Sequence, residues 1–477
     1  MEKRGKMITR SRALLLIAFM ATVTFAGYRL YSGLRQEKGA PPVKSSVNLL
    51  MEAMNIIKKR YVDEVDEKKL VKGAIDGMLS KLDPHSNYMP PEPYKEMKIN
   101  MAGSFGGLGI EINIKDEKLT VISPIEDTPA WRAGIKPNDH IWKIDSRLTK
   151  GLTINQSVNL MRGEKGTKVT LHILREGQKS SLVFPLVRDI IKTKSMKSRT
   201  LVPGYGYIRI SQFQERTGED FANAIRNLHA ENPSGLKGLV LDLRNNPGGL
   251  VDTAAQVADH FIGEGKDDGT IVTMKGRIPG ARMNHYAKVG EKEPHYPIVV
   301  LINGGSASAS EILAGALQDN GRAIIMGTQS YGKGSVQSVI PLRDGSGLKI
   351  TTALYYTPKG RSIQARGITP DIIVGAKELA RKGQGAEGEK KGDAADFREK
   401  DLINHLEGDK PGKSSVKPAK PVDVKAPAVP LPGEDTANDY QLSRALEMLK
   451  GLDVINLMAG ARGGGQPAPA AAGKAAQ

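Results

Sequence analysis

The spacing of apolar residues divides the chain into stretches with different predicted structure. In residues 46–100 apolar positions recur every three or four residues, which is typical of amphipathic helices. In residues 103–190 short apolar runs such as KLTVISPI alternate with glycine turns, which predicts strands, with one helical stretch at 155–162. In residues 195–375 near-continuous apolar runs alternate with helical patterns, and this predicts an α/β sheet covered on both faces.

Individual elements can be assigned within these stretches. Residues 82–91, LDPHSNYMPP, end the N-terminal helical stretch, because their prolines cannot continue a helix. Residues 335–342, SVQSVIPL, are typical of a strand. Further strands are predicted at 204–210, 238–244, 297–303 and 323–328, and helices at 217–231, 250–262 and 308–319.

The composition changes after residue 375. Residues 376–435 are rich in Lys, Glu, Gly, Ala and Pro and hold few large apolar groups, so they are predicted to be a disordered linker. Their charge is nearly balanced, with 12 basic and 10 acidic residues in 376–425, which favours a solvated linker over a polybasic arm. A helix is predicted at 438–459 from five apolar residues at helical spacing, Leu442, Leu446, Leu449, Leu452 and Ile455.

Positive charge is concentrated at the N-terminus. The first 45 residues hold nine Lys and Arg against two acidic residues, in a chain of 477 residues with net charge +17. Five of these bases precede an apolar run at 13–27, the pattern of a secretory signal. The run is short for a membrane span, which needs about 20 residues, but an uncleaved anchor remains the alternative. Either outcome predicts export to the periplasm or cell envelope, with membrane contact through the N-terminal segment.

Composition excludes several kinds of chemistry. The absence of cysteine excludes disulfides, zinc–thiolate sites and thiol catalysis. The basic residues outside the N-terminus form no stripe interleaved with aromatics, so nucleic acid is not a predicted partner. The eight histidines show no triad or metal-ligand spacing, and His85 is interpreted as a structural turn residue. Neither GxSxG nor HExxH occurs. We therefore expect no metal and no cofactor.

The candidate nucleophile lies in NGGSASASE at 303–311, where a strand runs through small residues into a helix. A serine at a helix start meets the positive end of the helix dipole. Ser308 and Glu311 also have the spacing of a capping box, so on spacing alone Ser308 is either a nucleophile or a helix N-cap. Ser306 and Ser310 are interpreted as structural residues, one in the turn and one inside the helix.

The candidate base is Lys333, which is flanked by Gly332 and Gly334. A lysine whose pKa is lowered by burial can deprotonate a serine where no triad histidine is present. The spacing from Gly327 to Lys333 imitates a phosphate loop, but that motif requires Ser or Thr at the next position and then a helix. Here Gly334 and a predicted strand follow, so the sequence does not favour nucleotide binding.

The glycine-rich stretch 106–110 and the stretch PAWRAGIKPNDHIWKID at 129–145 together resemble a PDZ domain over residues 103–190. Glycines allow a loop to turn its backbone N–H groups inward and bind a terminal carboxylate, while the next strand accepts an extended peptide. The glycine loop alone would equally suit a tight hairpin. The resemblance assigns the peptide-binding loop to Gly106, Gly107, Leu108, Gly109 and Ile110.

Four further segments occur in order, LDLRNNPGG, NGGSASASE, GALQDNG and YGKGSVQ. With the preceding PDZ-like unit they resemble the carboxyl-terminal processing proteases among the S41 serine peptidases, over residues 46–375. The resemblance implies a multi-domain fold, α/β with a β-rich PDZ domain. The predicted boundaries are a signal or anchor at 1–34, a helical region at 45–100, the PDZ domain at 101–190, the protease core at 191–375, a disordered linker at 376–436, a helix at 437–460 and a disordered tail at 461–477.

The same resemblance implies the site residues. Ser308 would be the nucleophile, Lys333 the general base, and Gln337 the residue that positions the lysine amine. Ala309 N–H and a glycine N–H, from Gly248 or Gly249, would form the oxyanion hole. Two further residues have open interpretations: Arg162 either links the PDZ position to the catalytic site or is solvated, and Asp319 either supports activity or caps its helix.

The predicted function is an ATP-independent serine endopeptidase with a Ser–Lys dyad. It would hold the unstructured, apolar C-terminal tail of a protein in the PDZ groove and cut near that end. The resemblance also implies a homodimer, formed through the N-terminal helices and the helix at 438–459, and an adaptor protein as a further partner. The alternative is a non-catalytic PDZ scaffold at the membrane, which would need none of the three catalytic residues.

Overall fold

The computed structural model describes residues 43–263, 269–375, 397–408, 422–423 and 439–463. They belong to two compact units, divided after Met78. The predicted signal or anchor at 1–34 and most of the predicted linker and tail lie outside the described residues. Among the residues described, no helix is both long and apolar enough to cross a membrane.

The helical pattern of the N-terminal stretch is confirmed. Helices α1 (Val43–Arg60) and α2 (Glu67–Leu79) have the predicted spacing. The stretch at 82–91 then holds a short strand, β1 (Asn87–Met89), and the start of helix α3 (Pro91–Ala102). Pro91 therefore begins a helix, which it can do because a proline at the first helical position loses no hydrogen bond.

Residues 104–192 form the predicted β-rich unit. Its larger sheet has the order β3-β4-β5-β7-β8, with β6 beside β5, and β2 pairs with β9. All these pairs are antiparallel. The elements are β2 (Ser104–Gly107), β3 (Ile110–Lys115), β4 (Lys118–Pro124), α4 (Pro129–Arg132), β5 (His140–Ile144), β6 (Arg147–Leu148), α5 (Ile154–Met161), β7 (Lys168–Leu174), β8 (Leu182–Val187) and β9 (Asp189–Lys192).

A seven-stranded sheet forms the core of residues 196–423, in the order β10-β11-β12-β15-β16-β19-β20. Its pairs are parallel except β10 with β11. The strands are β10 (Met196–Val202), β11 (Tyr205–Ile210), β12 (Gly238–Asp242), β15 (Ile298–Ile302), β16 (Ile324–Gly327), β19 (Ile372–Ile373) and β20 (Val422–Asp423), and the helices between them are α6 (Thr217–Glu231), α7 (Val251–Asp259) and α8 (Ala309–Asp319).

Both faces of this sheet are covered, as its near-continuous apolar strands predicted. Apolar residues of α6, α7 and α8 form one buried cluster with one face, for example Phe221, Ala254 and Leu313. The other face packs against a C-terminal helix, α9 (Tyr440–Gly463). The helix at 438–459, which was predicted to contribute to a dimer interface, buries Leu442, Leu446 and Leu449 within the chain, and the homodimer itself stays a prediction.

A second, antiparallel sheet lies beside the core and was only partly predicted. It contains β1, β13 (Thr270–Gly276), β14 (Met283–Tyr286), β17 (Ser335–Pro341) and β18 (Gly347–Tyr356). Residue 335 begins β17, as predicted from SVQSVIPL. Strand β18 pairs with β1 at residues 347–349, with β13 at 353–356 and with β17 over 347–354, which joins residues far apart in sequence.

Part of the predicted linker is folded. Residues 397–408 are described, and they include a 3₁₀ helix at Glu399–Asp401. The side chain of Glu399 is fully buried. The prediction of disorder was wrong for these residues, because it rested on the scarcity of apolar side chains, whereas the segment is held by polar contacts that composition does not reveal.

Candidate active site

Ser308 stands at the junction between a strand and a helix. The chain leaves β15, turns at 303–307 and enters α8, and Ser308 at the N-cap has φ +58° and ψ −116°. A positive φ is unfavourable for a residue with a side chain, and such strain often occurs at functional sites. The turn is fixed by its neighbouring serines: Ser306 Oγ donates to Leu243 O at 2.8 Å and Ser310 Oγ donates to Asn246 O at 2.9 Å.

Ser308 is buried, with 9% of the residue exposed. Its Oγ lies 2.8 Å from the phenolic oxygen of Tyr355, at the end of β18. Ser308 therefore does occupy the helix N-cap, as its spacing with Glu311 predicted, and its hydroxyl also faces a second polar group across the site. Its position at the N-cap therefore does not exclude a role as the nucleophile.

Glu311 is a buried carboxylate that gathers four donors. One oxygen, Oε2, accepts the backbone N–H of Ser308 at 2.7 Å and that of Lys333 at 2.9 Å. The other, Oε1, accepts Ser330 Oγ at 2.6 Å and the N–H of Gly332 at 2.7 Å. Burial raises the pKa of Glu311 to about 7, although these four hydrogen bonds oppose the rise. One side chain thus holds the candidate nucleophile and the candidate base together.

Lys333 lies in a loop whose backbone is fixed on several sides. Besides the bonds to Glu311, the N–H of Tyr331 donates to Ser306 O at 3.0 Å, and the N–H of Tyr355 donates to Gly334 O at 2.9 Å. Burial lowers the pKa of Lys333 from its ordinary value, and the positive charge of Lys349 lowers it further. A lysine in this environment loses its proton more readily than a solvated one.

Gln337 lies near Lys333 in sequence but contacts other groups. Its Nε2 donates to Ser335 Oγ at 2.9 Å and to Thr351 Oγ1 at 3.3 Å. Thr351 Oγ1 in turn donates to Asp83 Oδ1 at 3.1 Å. Among the described residues no hydrogen bond joins Gln337 to the amine of Lys333, so its predicted positioning role stays a prediction.

The oxyanion-hole candidates flank Ser308. Gly248 must be a glycine, because a Cβ added to it would lie 2.7 Å from Ser308 Cβ and 2.9 Å from Ala309 N. The N–H of Gly248 already donates to Asn246 Oδ1 at 2.9 Å. By contrast, no described residue accepts a hydrogen bond from the N–H of Ala309 or Gly249. Of the two glycines, Gly249 therefore has the N–H group that remains available.

The predicted peptide-binding loop borders a groove of about 90 Å³. Gly106 and Gly107 belong to β2, whereas Leu108 and Gly109 form the turn into β3. Leu108 O and Gly109 O accept N–H groups from the body of the domain, at 3.0 and 2.8 Å. No described residue accepts a hydrogen bond from the N–H of Leu108 or Gly109. The groove is lined by Phe105, Gly107, Leu108, Gly109, Ile110, Val158, Met161 and Arg162.

Arg162 and Asp319 each form an ion pair with a residue outside the candidate dyad. Arg162 ends α5, forms an ion pair with Glu96 of α3 and lies over the ring of Phe105, 4.5 Å from its centroid. It is therefore not a solvated arginine, and it borders the groove. Asp319, at the end of α8, forms an ion pair with Arg361 and accepts the N–H of Lys359 at 3.0 Å. This contact ties the helix end to the turn after β18.

Several polar groups of the site were not predicted from the sequence. The sequence indicated Glu311 only as a capping residue. Its spacing of three residues from Ser308 was the signal that could have placed it in the site. Tyr355, Asp83 and Glu399 gave no local signal, because long-range folding brings them to the site. His85 was interpreted as a turn residue, but its Nε2 lies 2.8 Å from both carboxylate oxygens of Glu399. No cluster of metal-ligating side chains occurs among the residues described.

Comparison with known proteins agrees with this architecture. The family model "Peptidase family S41" matches residues 204–374, "PDZ domain" matches 106–186, and "Activating protease CtpB N-terminal domain" matches 24–93. The chain is thus a serine-type peptidase with a PDZ domain.

Curated relatives narrow the class. The chain is 46% identical over 397 residues to a carboxy-terminal-processing protease of Bartonella bacilliformis, covering 83% of this chain and 86% of the relative. It is 35% identical over 382 residues to the carboxy-terminal processing protease CtpB of Bacillus subtilis, covering 76% and 78%. A solved photosystem II D1 C-terminal processing protease is 30% identical, with a TM-score of 0.40 and coverage of 69% and 92%. The chain belongs to the carboxy-terminal processing proteases of family S41.

Proposed function

We propose that this chain is an endopeptidase in which Ser308 and Lys333 act as a catalytic dyad. The observation that carries the proposal is the single Glu311 oxygen that accepts the N–H groups of both residues. The two backbones are therefore held within reach of each other by one atom. The hydroxyl of the buried residue Ser308 would supply the nucleophile, and Lys333, whose pKa is lowered by burial, would supply the base.

In the proposed reaction the neutral amine of Lys333 takes the proton of Ser308 Oγ as that oxygen attacks the peptide carbonyl carbon. The N–H groups of Ala309 and Gly249 would stabilise the negative charge on the carbonyl oxygen. The ammonium of Lys333 then protonates the leaving amine, and an acyl-enzyme on Ser308 remains. Lys333 then takes a proton from a water molecule as the water oxygen attacks the ester carbonyl carbon. It returns this proton to Ser308 Oγ as the ester bond breaks, which releases the new carboxyl terminus and restores the serine.

We further propose that the substrate is recognised by an unstructured, apolar C-terminal tail. Strand β3 lies at the edge of its sheet, so an extended peptide can pair with it. The available N–H groups of Leu108 and Gly109 suit a terminal carboxylate. The groove between β3 and α5 is lined by Leu108, Ile110, Val158 and Met161, which favour an apolar last side chain.

A cleavage assay tests the dyad. A purified chain lacking residues 1–34 is incubated with a protein that ends in an unstructured apolar tail, and products are identified by mass. We expect cleavage near the tail, and loss of at least a thousandfold in kcat/KM for Ser308→Ala and Lys333→Ala. The controls are Ser198→Ala, on the exposed surface of β10, and Lys359→Ala, whose side chain is exposed; both should cleave normally.

The outcomes separate the proposed function from its alternative. Cleavage that survives Ser308→Ala or Lys333→Ala would remove the dyad. An unmodified chain that binds apolar tails across a range of pH and cuts none of them would support the non-catalytic PDZ scaffold. Cleavage that does not depend on the tail would leave the dyad in place and remove the proposed recognition by the PDZ groove.

A further inference from the structure

The segment at 397–408 lies beyond the residues that the peptidase family model matches, which end at 374. It is nevertheless fixed against the loop that carries Lys333. The N–H of Glu399 donates to Tyr331 O at 3.3 Å, and Gln364 Nε2 donates to Leu406 O at 3.0 Å. A part of the chain outside the matched domain therefore packs against the candidate catalytic loop.

The carboxylate of Glu399 lies at the centre of this contact and has no exposed surface. Gln364 Nε2 donates to Glu399 Oε1 at 2.9 Å, and Gln364 Oε1 accepts the N–H of Gly334 at 2.9 Å. On its other side, His85 Nε2 lies 2.8 Å from each oxygen. Glu399 thus connects the residue after Lys333, through one amide side chain, to the turn that holds His85.

The charge of Glu399 matters to the lysine. Burial disfavours its ionisation, but the hydrogen bonds from His85 and Gln364 outweigh this and hold the pKa of Glu399 below its ordinary value. Four charged or titratable groups act on the Lys333 amine: Lys349 lowers its pKa, whereas Glu399, Glu311 and Asp83 raise it. Asp83 lies in the N-terminal match at 24–93, and Glu399 is the one among them that lies outside all three matched ranges.

A carboxylate in a fully buried position is costly unless several partners compensate it. An apolar side chain would hold the segment against Tyr331 without that cost. The compensation by His85 and Gln364, and the direct connection from Gln364 to Gly334, are the features that a packing role does not need.

We propose that Glu399 is a positioning residue for Lys333, supplied by the 397–408 segment, which fixes the 331–334 loop and sets the charge around the lysine amine. This inference rests on the proposed role of Lys333 as general base. The acidic group completes the active site from a part of the chain that composition assigns to a linker.

The test is the pH dependence of kcat/KM for Glu399→Gln, an isosteric change, in the chain lacking residues 1–34. Removing a negative charge makes the ammonium form of Lys333 less stable, so the amine loses its proton at lower pH. We expect the rise of kcat/KM with pH to move to lower pH, and its plateau to fall about tenfold or more as the loop loosens. Glu407→Gln, the same change at an exposed position of the same segment, should leave both unchanged.

Glu399→Asp keeps the charge but shortens the side chain. It should lower the plateau and leave the midpoint close to that of the unmodified chain, and it serves if the Gln variant is too unstable to assay. The proposal is overturned if Glu399→Gln leaves the midpoint unchanged, whatever the plateau does, or if Glu399→Asp behaves as the unmodified chain in both respects. Failure of the dyad itself is seen separately, as activity that survives Lys333→Ala.

Discussion

Glu311 holds several backbone and side-chain groups of the candidate active site in place, although its own side chain need not contact the substrate. Its two oxygens accept hydrogen bonds from four groups, spread over the start of α8 and the 330–333 loop. Each oxygen of a carboxylate has two acceptor sites, so all four are occupied. A neutral amide cannot replace it, because the NH₂ group would face donors with another donor.

We therefore expect Glu311→Gln to lower kcat about a hundredfold with little change in KM, since a displacement of about 1 Å at the reacting atoms has an effect of that order. Steady-state kinetics on a tail-bearing substrate measures this. Glu219→Gln is the matched control, because Glu219 is exposed at the start of α6, 3.8 Å from its nearest ionic partner. A Glu311→Gln enzyme with unchanged kcat would show that the carboxylate does not hold the dyad.

The contrast between Ser308 and Tyr355 shows which site residues a sequence can reveal. Ser308, Lys333 and the segment 241–249 lie in short motifs whose residue types and spacing can be recognised in the sequence, although the contacts that hold them are long-range. Tyr355 reaches Ser308 Oγ only because β18 crosses the second sheet. Glu399 reaches the site through three polar contacts that depend on the folded core. Such groups are specified by topology, which local spacing does not contain.

Among the secondary-structure elements, the turn between β2 and β3 is the one whose shape the proposed binding of a terminal carboxylate depends on. Gly109 has φ +74°, and a Cβ added there would lie 2.3 Å from the side chain of Thr128. Gly134 has nearly the same backbone, with φ +79°, but a Cβ there would meet nothing within 4 Å. Comparing a substitution at Gly109 with the same substitution at Gly134 therefore separates the effect of a steric clash from that of backbone strain.

Both Gly109→Ala and Gly134→Ala should lower the free energy of unfolding by about 1 kcal/mol, because alanine is strained in the left-handed backbone conformation. Only Gly109→Ala should also displace the turn, and we expect it to weaken binding of a peptide with an apolar C-terminus at least tenfold. Fluorescence anisotropy with a labelled peptide measures the affinity, and thermal unfolding measures the strain. Equal affinities for the two variants would mean that the turn does not form the carboxylate site.

The elements themselves were predicted unequally well. The central strands and helices of the core were predicted from apolar runs, and helix α6 has the predicted bounds, Thr217–Glu231. Strands β13 and β14 were missed, and β18 with them, because their residues are only partly buried and show no clean alternation. Their pairing with distant strands, and not their own pattern, places them in a sheet.

After the peptidase domain, the C-terminal helix α9 packs back onto the central sheet. Helix α9 covers the sheet face opposite α6, α7 and α8, and its N-terminal end is tied to the turn before Gly248. Arg244 donates to Asp439 at 2.9 and 2.7 Å and to Asp242 at 2.9 and 2.7 Å. Residues near the C-terminal end thus support both the sheet and the turn that borders the nucleophile.

This dependence predicts that α9 is part of the folding unit and not an appended helix. Leu446 is 1% exposed against the sheet, whereas Ile455 of the same helix is 61% exposed. Leu446→Ala should lower the free energy of unfolding by about 2–5 kcal/mol, because it leaves a cavity in the core. Ile455→Ala should change it by about 0.5 kcal/mol or less. Urea unfolding followed by circular dichroism measures both. If both variants unfold at the same urea concentration, Leu446 contributes no more to stability than an exposed residue, and the prediction that α9 is part of the folding unit is wrong.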